Sequence, residues 1–309
     1  MEMIDRLHNN LSIRDKLTKK SSFYCDLMRF LFLGLVMLIA SCEKSQQYTP
    51  TELKVAVLPD QNHENLKNQH QPLVDYLSKE LSIPAKLIIP KDYADLNKLF
   101  HEKKIDLAYF GGLTFVRASE QSNAIPLTLR DIDLRFTSIF LTNKKNKGSS
   151  IKDFQGMSLS FGSQLSTSGH LMPRHFLNEQ GISAEHFFSE THFSGAHDKT
   201  VFRVLRNESD LGVANNAVVE SMFKKGTVNP DDFKIIWITP PYPDYVWAIQ
   251  PDVEPEFTTR LLNAFLSLTT SHKESKSILD SQSAGGFLPA RDQDFDQLRN
   301  IAKKLNLLN

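Results

Sequence analysis

The chain has 309 residues, 40% of them hydrophobic, and its 36 Lys+Arg are matched by 36 Asp+Glu. That length is too great for one small core and suits two lobes. The even charge argues against nucleic acid as a main partner, because phosphate backbones select a basic excess.

The first informative segment is "MRFLFLGLVMLIASC", Met28 to Cys42. A single Arg29 precedes an apolar run from Phe30 to Ala40, too short to span a bilayer but right for the core of a signal peptide. "LIASC" resembles the bacterial lipobox, in which the chain is cut before the cysteine and the thiol is lipidated. The alternative, a short buried or membrane-associated helix, fits less well with the polar stretch Glu43–Thr51 that follows at once. Secretory signals rarely carry so long a polar lead as the residues before Met28, so translation is expected to start at Met28. The expectation is a signal segment over 1–41, a lipidated Cys42 and a tethered linker over 42–50, placing an exported protein on a membrane facing the periplasm or cell exterior. Cys25 is then lost. Cys42 is left without a partner for an intramolecular disulfide, and zinc sites built on several thiolates are excluded.

Beyond the linker, "ELKVAVLPD" (52–60) reads as a strand and Asn62–Leu81 as an amphipathic helix. "AKLIIP" (85–90), "DYADLNKLFHEKK" and "IDLAYFGG" (105–112) continue as strand, helix, strand, with a helix after the glycines. The pattern restarts with strands at "RFTSIFLTN" (135–143) and "MSLSFG" (157–162), the latter running into a helix. "THFSGAHDKTVFRVLRNE" (191–208) and "DLGVANNAVVESMFKKG" (210–226) each read as strand, turn, helix. "FKIIWIT" (233–239) and "DYVWAIQ" (244–250) are the last strands, and 253–309 reads as mostly helical. Alternation of this kind predicts an α/β protein with mainly parallel sheets covered by helices. Residues 51–137 with 246–309 form a first lobe and 138–245 a second, with two crossovers between them and a ligand site in the cleft.

In open α/β sheets, ligands sit beyond the carboxyl ends of strands. "FGSQLSTSG", "FSGAHD", "VANNAV" and "YFGGLT" each end a strand and open a helix. At such helix starts the first N–H groups lack intrahelical partners and carry partial positive charge. Ser166, Thr167 and Ser168 add hydroxyl donors, and Gly169 permits close backbone approach, so the cluster reads either as an over-provided helix cap or as an anion receptor that needs no lysine. Pro173 makes the following helix kink or start late, and Gly181 suits its C-terminal end.

His197 stands at a strand-to-helix turn and can donate to an oxyanion. Of Tyr109 and Phe110, one faces the cleft and one the core, or both are core aromatics. There is no P-loop spacing and no G-x-S-x-G elbow. A hydrolase using Ser166 or Ser168 with His197 and Asp198 is a minor reading, since adjacent His and Asp do not orient each other as a triad requires. His170 and His175 do not share a helix face and no metal-ligand spacing occurs, so a metal-binding lipoprotein is a weaker alternative still.

The segments "DLAYFGGLTFVRA", "GMSLSFGSQLSTSGHLMPRHFL", "FSGAHDKT" and "DLGVANNAV", in order, resemble the phosphate/phosphite/phosphonate family of ABC-transporter substrate-binding proteins. "STSGHLMPR", "SGAHD" and "TPPYPDYVW" are most similar to its selenate-binding branch. The resemblance implies a two-lobed, hinge-closing periplasmic-binding-protein fold of type II, with no catalysis and no cofactor or metal. It implies that Ser166, Thr167, Ser168 and Gly169 grip a tetrahedral oxyanion, with Tyr109 or Phe110 and His197 completing the pocket. The partners implied are a small oxyanion, an ABC permease with its ATPase, and the membrane through the N-terminal lipid, for a monomeric protein. A sensor handing the ligand to a membrane kinase is the alternative. Asn215 and Asn216 stand where an aminoalkylphosphonate binder needs carboxylates. Asp198, the one acid in the proposed turns, is expected to distinguish a protonated phosphorus oxyanion from a selenate-like dianion: facing the pocket it favours the first, capping its helix it leaves the second open.

Overall fold

The structure, a computed structural model, describes residues 47–308. The expected signal segment, the start at Met28 and Cys42 lie outside the described residues. No described helix is long and apolar enough to cross a membrane.

The first half of the described chain runs β1 (Leu53–Val57), α1 (His63–Leu81), β2 (Ala85–Ile88), α2 (Tyr93–His101), β3 (Leu107–Phe110), α3 (Gly112–Ser122) and β4 (Ile125–Arg130). Next come β5 (Ser138–Asn143), β6 (Ser158–Phe161), α4 (Met172–Glu179), α5 (Ala184–Phe187), β7 (Glu190–Phe193), α6 (His197–Leu205), β8 (Leu211–Asn215), α7 (Asn216–Lys224) and β9 (Phe233–Ile238). β10 (Val246–Ile249), α8 (Pro255–Leu266), α9 (Lys273–Ser281), β11 (Phe287–Pro289) and α10 (Asp296–Lys304) complete it.

Two mixed sheets result. One is six-stranded in the order β11-β4-β10-β3-β1-β2, and the other is five-stranded in the order β7-β6-β8-β5-β9. β1 pairs in parallel with β2 and β3, and β6 with β7 and β8. Three strands run against the rest of their sheets: β5 leaves the first lobe beside β8, β10 returns between β3 and β4, and the short β11 pairs with β4. Phe136 and Tyr242 exchange both backbone hydrogen bonds, so the two crossing segments are themselves paired as a hinge.

Two strands stand where the sequence pattern suggested none. β4 carries Pro126, which demotes a run as a strand candidate. Pro126 lies opposite Ala248 at a register break in the β10–β4 ladder, and β11 pairs only with Thr128–Arg130 and does not reach it. β11 has three residues and ends on Pro289, too short to show a period.

Burial follows the periodicity. In α1, Leu66, His70, Leu73, Val74, Leu77 and Leu81 form one buried stripe. The first lobe packs Phe100, Phe110, Phe115, Trp247 and Phe265 into one core, and the second lobe divides into a smaller core on each face of its sheet. This layering brings the carboxyl ends of β3, β6 and β8 to the boundary between the lobes.

Candidate functional site

The hydroxyl cluster follows β6. Pro173 has no N–H and cannot lie deep in a helix that begins at Ser166. The chain instead makes one wide turn of π-helix over Thr167–Leu171, with Leu171 N–H donating to Ser166 O at 3.0 Å, and α4 then starts at Met172 with Pro173 in its first turn. Gly181, at φ +74°, takes the left-handed position after that helix.

Each hydroxyl has a different task. Ser166 Oγ accepts the Gly169 N–H at 2.9 Å, as a cap does. Thr167 Oγ1 accepts the Leu113 N–H at 2.9 Å, joining the second lobe to the start of α3 in the first. Ser168 Oγ is buried with no hydrogen-bond partner, while its carbonyl accepts from Ser138 Oγ at 2.7 Å. Gly169 is required by contact: a Cβ there would stand 2.9 Å from Ser166 Oγ, 3.0 Å from Gly162 Cα and 3.1 Å from His197 Cε1.

His197 opens α6 and is fully buried. Its Nδ1 accepts the Asn215 N–H at 3.2 Å, so in the neutral ring the proton sits on Nε2, which has no partner. Burial lowers its pKa to about 3, so the ring is neutral near pH 7. A triad histidine donates a hydrogen bond from Nδ1–H to its carboxylate, and here Nδ1 is an acceptor.

Two residues the sequence reading passed over complete the arrangement. Tyr93 begins α2, and its buried hydroxyl is unpartnered beside Ser166 and close to Asp60 and Asp244. Asp244 lies in the returning crossover. Its Oδ1 accepts the Gly112 N–H at 2.9 Å, and its Oδ2 has no partner. Burial raises the Asp244 pKa to about 7, against the pull of Gly112 N–H and the nearby Thr167 and Ser168 hydroxyls. Tyr93 Oη, Ser168 Oγ, His197 Nε2 and Asp244 Oδ2 therefore form a buried set of open hydrogen-bonding positions around one turn. Buried polar atoms in native proteins nearly always have partners, and four unpaired ones together can take a polar ligand; a second unpartnered group, His70 Nδ1 and Tyr109 Oη, lines a cavity in the cleft. "KDYADL" is a strand-to-helix turn like the four singled out above, so the same rule points to Tyr93. Asp244 stands in "TPPYPDYVW", which the helix-start rule does not reach.

The remaining candidates have other places. Tyr109 stacks on Tyr245 with ring centroids 5.1 Å apart and lines a cleft cavity of about 210 Å³. Phe110 faces the first lobe's core, edge-on to Phe100 at 5.2 Å. Asn215 caps α7 through Oδ1 and donates from Nδ2 to the Tyr245 hydroxyl at 2.8 Å; that hydroxyl donates to Asp60 Oδ2 at 2.7 Å. Asp60 is raised to about 6 by burial, partly offset by the Tyr245 hydrogen bond and Arg130. Asp198 turns its carboxylate to the Asn62 N–H (3.0 Å) and the Lys199 N–H (2.8 Å) rather than toward His197. The 210 Å³ cavity lies on the far side of Asp60, Tyr245 and Asn215, and the Ser166–Gly169 turn does not line it. Among the described residues no group of His, Cys, Asp and Glu is placed to hold a metal ion.

Two lobes joined by paired crossovers, with open polar positions where they meet, define a substrate-binding protein of the type II periplasmic fold. The family model described as ABC transporter, phosphonate, periplasmic substrate-binding protein matches residues 55–295, and the chain belongs to that family. The chain is 36% identical over 269 residues to an ABC transporter phosphite-binding protein, PhnD1, of Prochlorococcus marinus (strain MIT 9301), covering 83% of this chain and 91% of that one. The structure of PhnD1 in complex with methylphosphonate superposes with a TM-score of 0.80 over 84% of this chain and all of that one. A phosphate-import protein, PhnD, of Mycolicibacterium smegmatis is 25% identical over 86% of this chain and 92% of its own length. The chain is thus the exported binding component of an ABC transporter, in a family of transport proteins rather than enzymes.

Proposed function

We propose that the chain captures a small tetrahedral phosphorus oxyanion (phosphite, methylphosphonate or phosphate) at the Ser166–Gly169 turn and delivers it to its permease. The observation that carries this reading is the set of open positions at Tyr93, Ser168, His197 and Asp244. Three of them serve as donors: burial keeps the Tyr93 phenol protonated, Ser168 has a free hydroxyl, and His197 presents Nε2–H. The fourth is a carboxylate whose raised pKa lets one proton be shared with the ligand.

That acid separates ligand classes. Selenate and sulfate are fully ionised near neutrality and offer no proton to an acceptor, whereas phosphorus oxyanions hold or readily take one. Asp244 therefore favours a phosphorus ligand over the selenate-like ligand, and it does the work that the sequence reading gave to Asp198. Asn215 stands where an ammonium group would want a carboxylate, and the nearby Asp60 carboxylate is already engaged by the Tyr245 hydroxyl, so an aminoalkyl substituent is disfavoured. The similarity to proteins named for phosphite, methylphosphonate and phosphate supports the same class. We also assign a lipid tether at Cys42 and a monomeric state.

Calorimetric titration of the protein with phosphite, methylphosphonate, phosphate, sulfate and selenate tests the reading. Phosphorus oxyanions bind and the two fully ionised dianions bind at least tenfold more weakly. Preference for selenate would overturn the ligand class, and binding of none would overturn the function.

A further inference from the structure

We propose that Asp198 is an interlobe latch: its carboxylate ties the start of α1 in the first lobe to the start of α6 in the second and holds the cleft closed without touching the ligand. This rests on the reading that the cleft closes around an oxyanion.

The two carboxylate oxygens are divided between the lobes. Oδ1 accepts the Lys199 N–H at the start of α6, and Oδ2 accepts the Asn62 N–H from the cap of α1. Two helix starts thus face each other across the boundary, each carrying partial positive charge and unpaired N–H groups. Left without an anion they repel; Asp198, only 7% exposed, turns the repulsion into two charge-assisted hydrogen bonds. The adjacent backbone supports the clasp, because His197 N–H donates to the Asp60 carbonyl at 3.0 Å. Thr167 with Leu113, Asp244 with Gly112 and Tyr245 with Asp60 also cross the boundary. Those pairs sit at the oxyanion turn or beside Asn215, and Asp244 keeps one oxygen open. Asp198 has both oxygens occupied by backbone N–H groups, one from each lobe, so it has none to offer a ligand.

Removing the latch lowers the closed fraction and weakens apparent affinity by the same factor. Capture by the open form is untouched and release is faster. In the full-length protein, Asp198→Ala raises the release rate about tenfold, as loss of a hydrogen bond to a charged group does, with association nearly unchanged. The factor is the same for phosphite, methylphosphonate and phosphate. Asn62→Pro removes the opposing N–H at a residue whose φ of −63° suits proline. On that background Asp198→Ala adds little, whereas Asn62→Ala, which loses the cap side chain but keeps the N–H, releases ligand near the wild-type rate. Should Asp198→Ala not fold, Asp198→Asn keeps the volume and gives a smaller change of the same sign.

Small-angle X-ray scattering of the ligand-free protein gives a larger radius of gyration for the variant. An unequal loss among ligands, additive effects of the two substitutions, or unchanged release and radius would overturn the latch. If the wild-type protein binds no oxyanion, the functional reading fails while the scattering comparison still decides the latch.

Discussion

Two buried polar clusters lie close together at the foot of the cleft and differ in completion. At Arg130 the buried charge is fully matched, although the neighbouring Tyr109 Oη, His70 Nδ1 and Gln282 Oε1 have no partner. Arg130 Nε and Nη2 donate to Asp133, its Nη1 donates to the Gln282 carbonyl at 2.8 Å, and its guanidinium lies 5.5 and 5.4 Å from the Tyr109 and Tyr245 ring centres. Around the Ser166–Gly169 turn, four buried polar atoms have no partner. The Asp133 carbonyl accepts the Asp244 N–H at 2.9 Å, so the Arg130–Asp133 pair fixes one wall of the open set. The first has the character of scaffold and the second that of a receptor. Substitutions in the first should cost stability, and those in the second should cost affinity.

The largest effect expected is at the scaffold. Arg130→Met leaves the fully buried Asp133 unpaired and should cost about 3–5 kcal/mol in urea unfolding. A loss below 1 kcal/mol would erase the contrast.

Asp244→Asn should act with the opposite sign on ligand-free stability. The folded-state pKa of Asp244, about 7, lies above the ordinary carboxylate value, so the stability it supports is complete in acid and lost as pH rises through about 7. Replacing it removes that loss. The variant should be more stable than wild type at pH 8, by at most about 4 kcal/mol, and the difference should shrink toward pH 4. Thermal melts across that range check this, and a constant offset would speak against it. The same variant should narrow the discrimination between phosphite and sulfate.

Ser168→Ala sharpens the comparison further. Its hydroxyl is unpartnered, so unfolding stability should hold while affinity for methylphosphonate falls by about 1.5–3 kcal/mol in calorimetry. Thr167→Ala, whose hydroxyl accepts the Leu113 N–H, should lose both.

The smallest effect is expected at Gly169→Ala. The added Cβ meets Ser166 Oγ, Gly162 Cα and His197 Cε1, and repacking them should cost about 1–3 kcal/mol, read in both melting and affinity.

Much of this architecture is legible in local pattern. The buried stripe of α1, the apolar strands at β3 and β5, and the strand-to-helix turns at Ser166, His197 and Asn215 all follow from periodicity and helix-start chemistry. β4 and β11 do not, since a proline obscures one and brevity the other. Tyr93 obeys the turn rule but lies in a turn without glycine or a hydroxyl run to draw notice. Asp244 has no local signature, because its position comes from a crossover that returns to the first lobe long after β3.

Local pattern carries the α/β class, the helix starts able to receive an anion and the need for a kink or a late start at Pro173. Those are properties of neighbouring residues, set by backbone sterics and orphan N–H groups. Which acid faces the open positions depends on packing between segments far apart in the chain. Asp198 and Asp244 are both acids beside helix starts, and their roles diverge because of what the opposite lobe places against them. Asn62 presents an N–H to one and satisfies it; the other is buried among hydroxyls with an oxygen to spare. Burial and partnering are set by segments distant in sequence, and no local pattern encodes them.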